Sequence, residues 1–455
     1  FPNWLIGLEG RDLERVIRIR NKFELLWNNR VPGVRVVEFP LAFIKEMEAV
    51  NEQGSPWRET VTLLPSPSKP IIHLASTIEL REHQKLALEL WEESEDRGII
   101  AHATGAGKTI TAISAILAHS EDGGHSVIIV PSKELLHQWY RELKKFCPQN
   151  QPIRKCGDGE SRWKKNLHSW LRSDFPQILI AISATARSDE FMYRLKKFGK
   201  ALLIVADEVH SLGSNENSKI FSLAASKRLG LSATPQRHGD EVGTKRIFDY
   251  FKKTVHEYSV FEAISDNYLV PYQYKPKVVQ LSEDEQNDWD SFTKDIGTMV
   301  AMSGSFSKAM KNERFRMLLI QRSRIGKKAQ SKITVARRII SSDAQSDQRW
   351  LVYCEDQDQM MELVKGLRSD RSDLRVMEYH SSLDGITRDS TLREFTVLGG
   401  VIVAIRCLDE GIDIPNASHA MILASSQNPR QFIQRRGRVL RLPKGDVEKK
   451  FAVIY

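Results

Sequence analysis

Short runs of apolar, mostly β-branched residues recur along this chain, separated by longer segments with helical spacing. That alternation restricts the fold more than any other feature. In the first half the runs are Gly98–His102, Ser126–Val130, Gln177–Ser183, Leu202–Ala206 and Arg228–Leu231, with helical stretches such as Thr109–His119 and Lys133–Phe146 between them. Strands apolar at every position must be covered on both faces, so the pattern predicts a parallel sheet between layers of helices. A second series follows at Trp350–Tyr353, Leu374–His380, Gly400–Ile405, Ala420–Ala424 and Phe451–Tyr455. Two α/β units in tandem also suit a chain of 455 residues, which is too long for one ordinary core.

Two segments fall outside both series. Residues 282–348 lack strand signals and carry a basic helical stretch with Lys308, Lys311, Arg314, Arg316, Arg322, Arg324, Lys327 and Lys328. Such a stretch reads either as a solvated helix face or as a contact for phosphates. Residues 1–78 interleave Arg11, Arg15, Arg18, Arg20, Lys22 and Arg30 with Trp4, Phe23 and Trp27. That mixture suits either a nucleic-acid surface or a structural cap. The expected organisation is therefore an N-terminal accessory domain at 1–78, a first α/β domain at 79–258 and a second at 259–455, with a helical insertion at 282–348. The chain opens on Phe1, which reads as lacking its natural N-terminus.

Composition narrows the partners only a little. A net charge of +9 favours a polyanion. Cys147, Cys156, Cys354 and Cys407 are scattered without a CxxC pair, which favours reduced thiols over a zinc site. No apolar run is long enough to span a membrane, so the expectation is an intracellular protein without a membrane partner.

The first chemical motif is His102-Ala-Thr104-Gly105-Ala106-Gly107-Lys108-Thr109, placed after a strand and opening a helix. Small residues let the backbone curl round a phosphate and aim its N–H groups at it. Lys108 supplies a point positive charge for the β- and γ-phosphates, and Thr109 a hydroxyl for Mg²⁺. His102 stands where the simple pattern has Gly. Further on, the apolar run Leu202–Ala206 ends in Asp207, Glu208, Val209 and His210. This puts two acids at the strand tip, where phosphates sit in such sheets. Asp207 is suited to hold Mg²⁺, partly through water, and Glu208 to orient and deprotonate a water. ATP and Mg²⁺ are the expected cofactors.

The Asp-Glu-Val-His string resembles the motif that defines DExH-type superfamily 2 helicases, and the other motifs of that family follow in order from Leu80 to Arg441. The resemblance implies two RecA-like domains with ATP between them. It implies that Arg81 and Gln84 belong to the nucleotide site, with Gln84 reading adenine. It implies nucleic-acid contacts at Pro131, Ser132, Lys133 and Gln138, at Ser183 and Thr185, and at His380 and Cys407. His210, with Ser232 and Thr234 of Leu231-Ser-Ala-Thr-Pro235, would couple nucleotide state to that grip. In the second domain, Gly411 and Asp413 would complete the nucleotide site, and Gln434 would lie near the γ-phosphate. Arg438 and Arg441 would serve as arginine fingers, because transferring a phosphoryl group needs guanidinium charge.

Within that superfamily the chain looks most like the XPB-like and phage UvsW-like DNA helicases. The carriers are Gly105–Thr109, Gly230–Arg237, Leu269–Tyr272 and Asp409–Asp413. The XPB group's Arg-Glu-Asp element has no good match, and Arg237-His-Gly-Asp240 is the nearest string. That tilts the expectation toward the phage branch-migration type: a monomeric, ATP-dependent helicase acting on duplex, forked or Holliday-junction DNA in replication, recombination or repair. A DExH-type RNA helicase, an ATP-switched duplex clamp without unwinding, and the motor of a restriction system are the competing readings.

Overall fold

The computed structural model describes residues 78–157, 159, 162–173, 175–198, 202–405, 417–424, 429–442 and 451–455, together with Asn21; at 429 and 430 only the backbone is described. The expected accessory domain, and the segment holding Cys407, Gly411 and Asp413, lie outside these residues.

The first lobe runs α1 (Glu82–Glu93), β1 (Arg97–His102), α2 (Lys108–Glu121), β2 (His125–Val130), α3 (Lys133–Phe146), β3 (Ile153–Cys156), β4 (Ile178–Ile182), β5 (Leu202–Ala206), β6 (Lys227–Leu231), α4 (Glu241–Phe251) and β7 (Thr254–Tyr258). Its seven strands are all parallel, in the order β3-β4-β2-β5-β6-β1-β7. Every residue of β2 and β5 is buried. Alternate side chains enter different cores: Val127, Ile129, Ile204 and Ala206 lie on one face, Ile128, Val130, Leu203 and Val205 on the other. This is why the central strands read as unbroken apolar runs.

The second lobe repeats the plan. It holds β8 (Tyr272–Tyr274), α5 (Glu283–Ser303), α6 (Glu313–Lys328), α7 (Gln330–Asp343), β9 (Arg349–Cys354), α8 (Gln357–Asp370), β10 (Val376–Tyr379), α9 (Gly385–Leu398), β11 (Gly400–Ile405), β12 (His419–Ile422), α10 (Pro429–Val439) and β13 (Ala452–Ile454). Six parallel strands lie in the order β10-β11-β9-β12-β13-β8. Leu351, Tyr353, Ile402 and Ala404 face one core, and Trp350, Val352, Val401 and Val403 the other. The two parallel α/β sheets match the expected fold class.

Three strands escaped the sequence pattern: β3, β7 and β8. Each is at the edge of its sheet. Edge strands meet water on one side, and Arg154, Lys155, His256 and Glu257 interrupt the apolar run that marks a central strand.

The segment 282–348 also divides differently from the expectation of one insertion. α5 and α6 pack on each other around Ile296, Ala309, Phe315 and Leu318, a small core of their own. α7 instead buries Ile333, Ala336 and Ile340 against the sheet of the second lobe. The basic residues divide as well. Lys327 pairs with Glu355 at 3.4 Å, Lys328 pairs with Asp356 at 2.6 Å, and Arg322 lies 5.2 Å above the Trp289 ring. Lys308, Lys311, Arg314, Arg316 and Arg324 remain exposed.

Candidate nucleotide and nucleic-acid site

In the first sheet β1 lies beside β6, which lies beside β5. Their C-terminal ends bring the loop 103–107, Ser232 and Asp207–Glu208 to one edge. The loop turns through Gly105 and Gly107, both at φ 92°, a left-handed conformation that side chains resist. Lys108 then opens α2, and its Nζ donates to the carbonyls of His102 (2.9 Å) and Ala103 (3.2 Å). Burial holds the Lys108 ammonium below its ordinary pKa; Glu208 and Asp207 oppose this, while Arg441 and Arg438 add to it.

His102, the departure at the loop's first position, is the last residue of β1 and points inward. Its ring is fully buried, and Nε2 lies 2.8 Å from His256 Nδ1. Burial and the neighbouring His256 push it down to about 2, so it stays neutral. A large side chain is tolerated here because it fills the lobe interior beneath the loop. His83 packs in the same cluster, stacked on Tyr258 at 3.9 Å and 3.0 Å from the Ala106 carbonyl.

Gln84 ties the start of α1 to the loop through the two ends of its amide. Oε1 accepts from the Arg81 N–H at 2.8 Å, and Nε2 donates to the Gly107 carbonyl at 3.1 Å. Arg81 lies 4.0 Å over the Tyr268 ring.

Asp207 is buried at the end of β5, and its Oδ1 accepts the Glu208 N–H at 2.9 Å. Its Oδ2 accepts the indole N–H of Trp139 at 2.8 Å, a partner that sequence reasoning did not find. Burial raises the Asp207 pKa, against the pull of Trp139 and Lys108. Glu208 has φ 46° and lies 3.4 Å from His210 Nδ1, which is 3.3 Å from Ser232 Oγ. Ser232 Oγ in turn accepts the Thr234 N–H at 3.1 Å. The expected coupling residues thus form one chain of contacts. Arg237 braces it from behind, bonding the His210 carbonyl at 2.6 Å and Asp240 at 2.7 Å.

The second lobe closes directly on this edge. Within that lobe Leu269 forms an antiparallel bridge with Arg441, and the Val270 N–H donates to the Leu440 carbonyl at 2.9 Å, while Leu269 shares a buried cluster with Ala103 and Ala106 of the loop. A Cβ built on Gly105 would lie 3.3 Å from Arg441 Cγ, and one on Gly437 would lie 2.5 Å from Thr104 Cβ. α10 therefore brings Gln434 and Arg438, both buried, to the phosphate loop. Arg435 of the same helix bonds the Ala424 carbonyl and stacks 4.7 Å over Tyr353, a contact within its own lobe.

The expected nucleic-acid residues are more mixed. Lys133 is exposed at the start of α3, while Pro131, Gln138, Thr185 and His380 are half-buried. Ser132 caps α3 by accepting the Leu135 N–H at 3.3 Å. Ser183 is buried, and its hydroxyl donates to the Val130 carbonyl at 3.1 Å, tying β4 to β2. Across the lobes Arg388 of α9 meets Glu134 of α3 at 3.2 Å. Among the described residues no helix is long and apolar enough to cross a membrane, and no His/Cys/Asp/Glu group forms a metal cluster.

A glycine-turned loop, a strand-end acid pair and an arginine helix on a second sheet meet in the arrangement expected of a two-lobed ATPase. Comparison with known proteins agrees. Residues 77–237 match the family described as the res subunit of type III restriction enzymes, and residues 331–443 the helicase conserved C-terminal domain. The DNA 3'-5' translocase XPB2 of Sulfurisphaera tokodaii is 28% identical over 392 residues, covering 82% of this chain and 81% of that protein. The ATP-dependent type ISP restriction-modification enzyme LlaBIII bound to DNA shares the fold with a TM-score of 0.58 at 17% identity, over 83% of this chain and 28% of that one. The Pyrococcus furiosus Hef helicase domain has a TM-score of 0.50 at 16% identity, over 83% of this chain and 95% of that one. The chain is a superfamily 2 helicase, an ATP-dependent enzyme of the DNA helicases. The phage UvsW-like preference gains no support from the XPB2 likeness.

Proposed function

We propose that this chain is a DNA-dependent ATPase of the DExH type that moves 3'-5' along DNA, as the XPB2 relative is named to do, and remodels duplex or branched DNA. The docking of Gly437 on Thr104 supports this reading, because it sets the arginine helix α10 against the loop that opens on Lys108. Lys108 would bind the β- and γ-phosphates, and Arg438 and Arg441 would stabilise charge on the transferring group. Glu208 would take the proton of the attacking water, with His210 beside it. Thr109 and Asp207 offer hard oxygen donors that suit Mg²⁺, and the buried Asp207 interacts with the charge of Lys108. When bound, Mg²⁺ neutralises phosphate charge. Gly411 and Asp413 belong to the same proposal.

Because the arginines and the loop sit on different lobes, nucleotide state would open and close the cleft. The contacts from Glu208 through His210 and Ser232 to Thr234 would carry that state toward the nucleic-acid side. The exposed Lys308 and Lys311 between α5 and α6, and Arg314, Arg316 and Arg324 of α6, together with residues 1–78, would hold the duplex.

ATPase assays with single-stranded DNA, duplex DNA and RNA, run beside strand displacement from forks with 3' or 5' tails, test the proposal. Stimulation by DNA and displacement from 3'-tailed forks are expected. Stimulation by RNA alone would favour an RNA helicase, and stimulation without displacement a duplex clamp.

A further inference from the structure

α3 starts at the segment expected to meet the nucleic-acid backbone, and the residue after Gln138 turns inward. That residue, Trp139, is 0% exposed and packs among Leu136, Leu143, Val130 and Leu203. Its Nε1–H donates to Asp207 Oδ2 at 2.8 Å. An indole nitrogen only donates, so this polar atom, buried on every side, requires an acceptor. The other carboxylate oxygen is held by the Glu208 N–H at 2.9 Å. Two donors from different directions therefore fix the plane of the carboxylate at the tip of β5. A partner that orients a metal-binding carboxylate commonly matters to affinity nearly as much as the ligand itself.

We propose that Trp139 is a positioning residue for Asp207: its indole N–H holds the carboxylate in the orientation that receives the divalent cation of the nucleotide, and ties that acid to α3. The tie is rigid, since the indole turns about only two bonds and is packed on all sides. A displacement of α3 is thereby felt at Asp207. The proposal rests on the reading of Asp207 as the cation-binding acid, and its test separates the two.

The experiment uses the full chain and measures binding of a fluorescent ATP analogue as Mg²⁺ is raised, and again in EDTA. Trp139→Phe keeps an aromatic ring but removes the donor. It should raise the Mg²⁺ concentration for half-maximal binding by about tenfold and leave affinity in EDTA unchanged. Asp207→Asn should also raise the Mg²⁺ requirement, and adding Trp139→Phe to it should add nothing. An unchanged Mg²⁺ requirement in Trp139→Phe, with a raised one in Asp207→Asn, overturns the positioning role alone. An unchanged requirement in Asp207→Asn overturns the reading of the acid beneath it. Should Trp139→Phe fail to fold, the ¹⁵N-indole resonance of Trp139 in the otherwise native chain answers the same question. It should move on Asp207→Asn, and a resonance that stays in place overturns the proposal.

Discussion

Gly437 of α10 lies so close to Thr104 of the phosphate loop that a Cβ on the glycine would come within 2.5 Å of the threonine Cβ. The second lobe is thus fitted to the loop by the absence of a side chain. Gly437→Ala should force α10 off the loop and carry Arg438 with it. ATP turnover is expected to fall by about tenfold or more, with both sheets still folded. Steady-state ATPase rates and a thermal melt check this together.

Lys108→Ala should abolish ATP turnover by removing the charge that meets the phosphates. Glu208→Gln should keep nucleotide binding and block hydrolysis, since an amide cannot accept the proton of water. Filter binding of labelled ATP beside a phosphate-release assay distinguishes the two. Full turnover in Glu208→Gln would remove Glu208 from its role.

His102 sets an acid limit on stability. Its ordinary pKa of 6.5 is pushed to about 2 by burial, so the unfolded chain binds a proton that the folded chain refuses. Its contribution is fully present above pH 6.5 and is lost as pH falls from there toward 2. The slope from this residue is at most about 1.4 kcal/mol per pH unit. His102→Asn should flatten the pH dependence of urea unfolding between pH 6 and about 4 relative to the native chain.

The α5–α6 pair has its own small core, so damage there should stay local. Phe315 is fully buried in it, and Phe315→Ala should cost about 3–5 kcal/mol within the pair. Basal ATPase should persist while DNA binding weakens. DNA affinity of the native chain should also fall with added salt, as phosphate contacts release counterions. Fluorescence anisotropy with a forked oligonucleotide at several salt concentrations checks both.

The sequence displayed those parts of the fold that are buried on both sides. β2, β5, β9 and β11 are unbroken apolar runs because helices cover both faces of each sheet. β3, β7 and β8 gave no such signal, since an edge strand mixes charged and apolar residues. Motif order led to Lys108, Asp207 and Arg438, and the fold brings those residues to one edge. The Trp139 bond to Asp207 was hidden because its partners lie 68 residues apart and join only through the pairing of β2 with β5. His102 read as a flaw in a pattern because direction, unlike identity, is not written in a motif: its ring is buried among His83, His256 and Tyr258. Ser183 shows the reverse, a residue of the expected kind whose hydroxyl is committed to the backbone of β2.

Single-turnover ATP hydrolysis by Arg438→Ala in the presence of DNA tests most directly whether the reaction site is divided between the lobes. If Arg438 completes a site begun by Lys108 and Asp207, hydrolysis should slow by about a thousandfold while ATP affinity changes little. Hydrolysis at the native rate would contradict the divided site and leave the first lobe to do the chemistry alone.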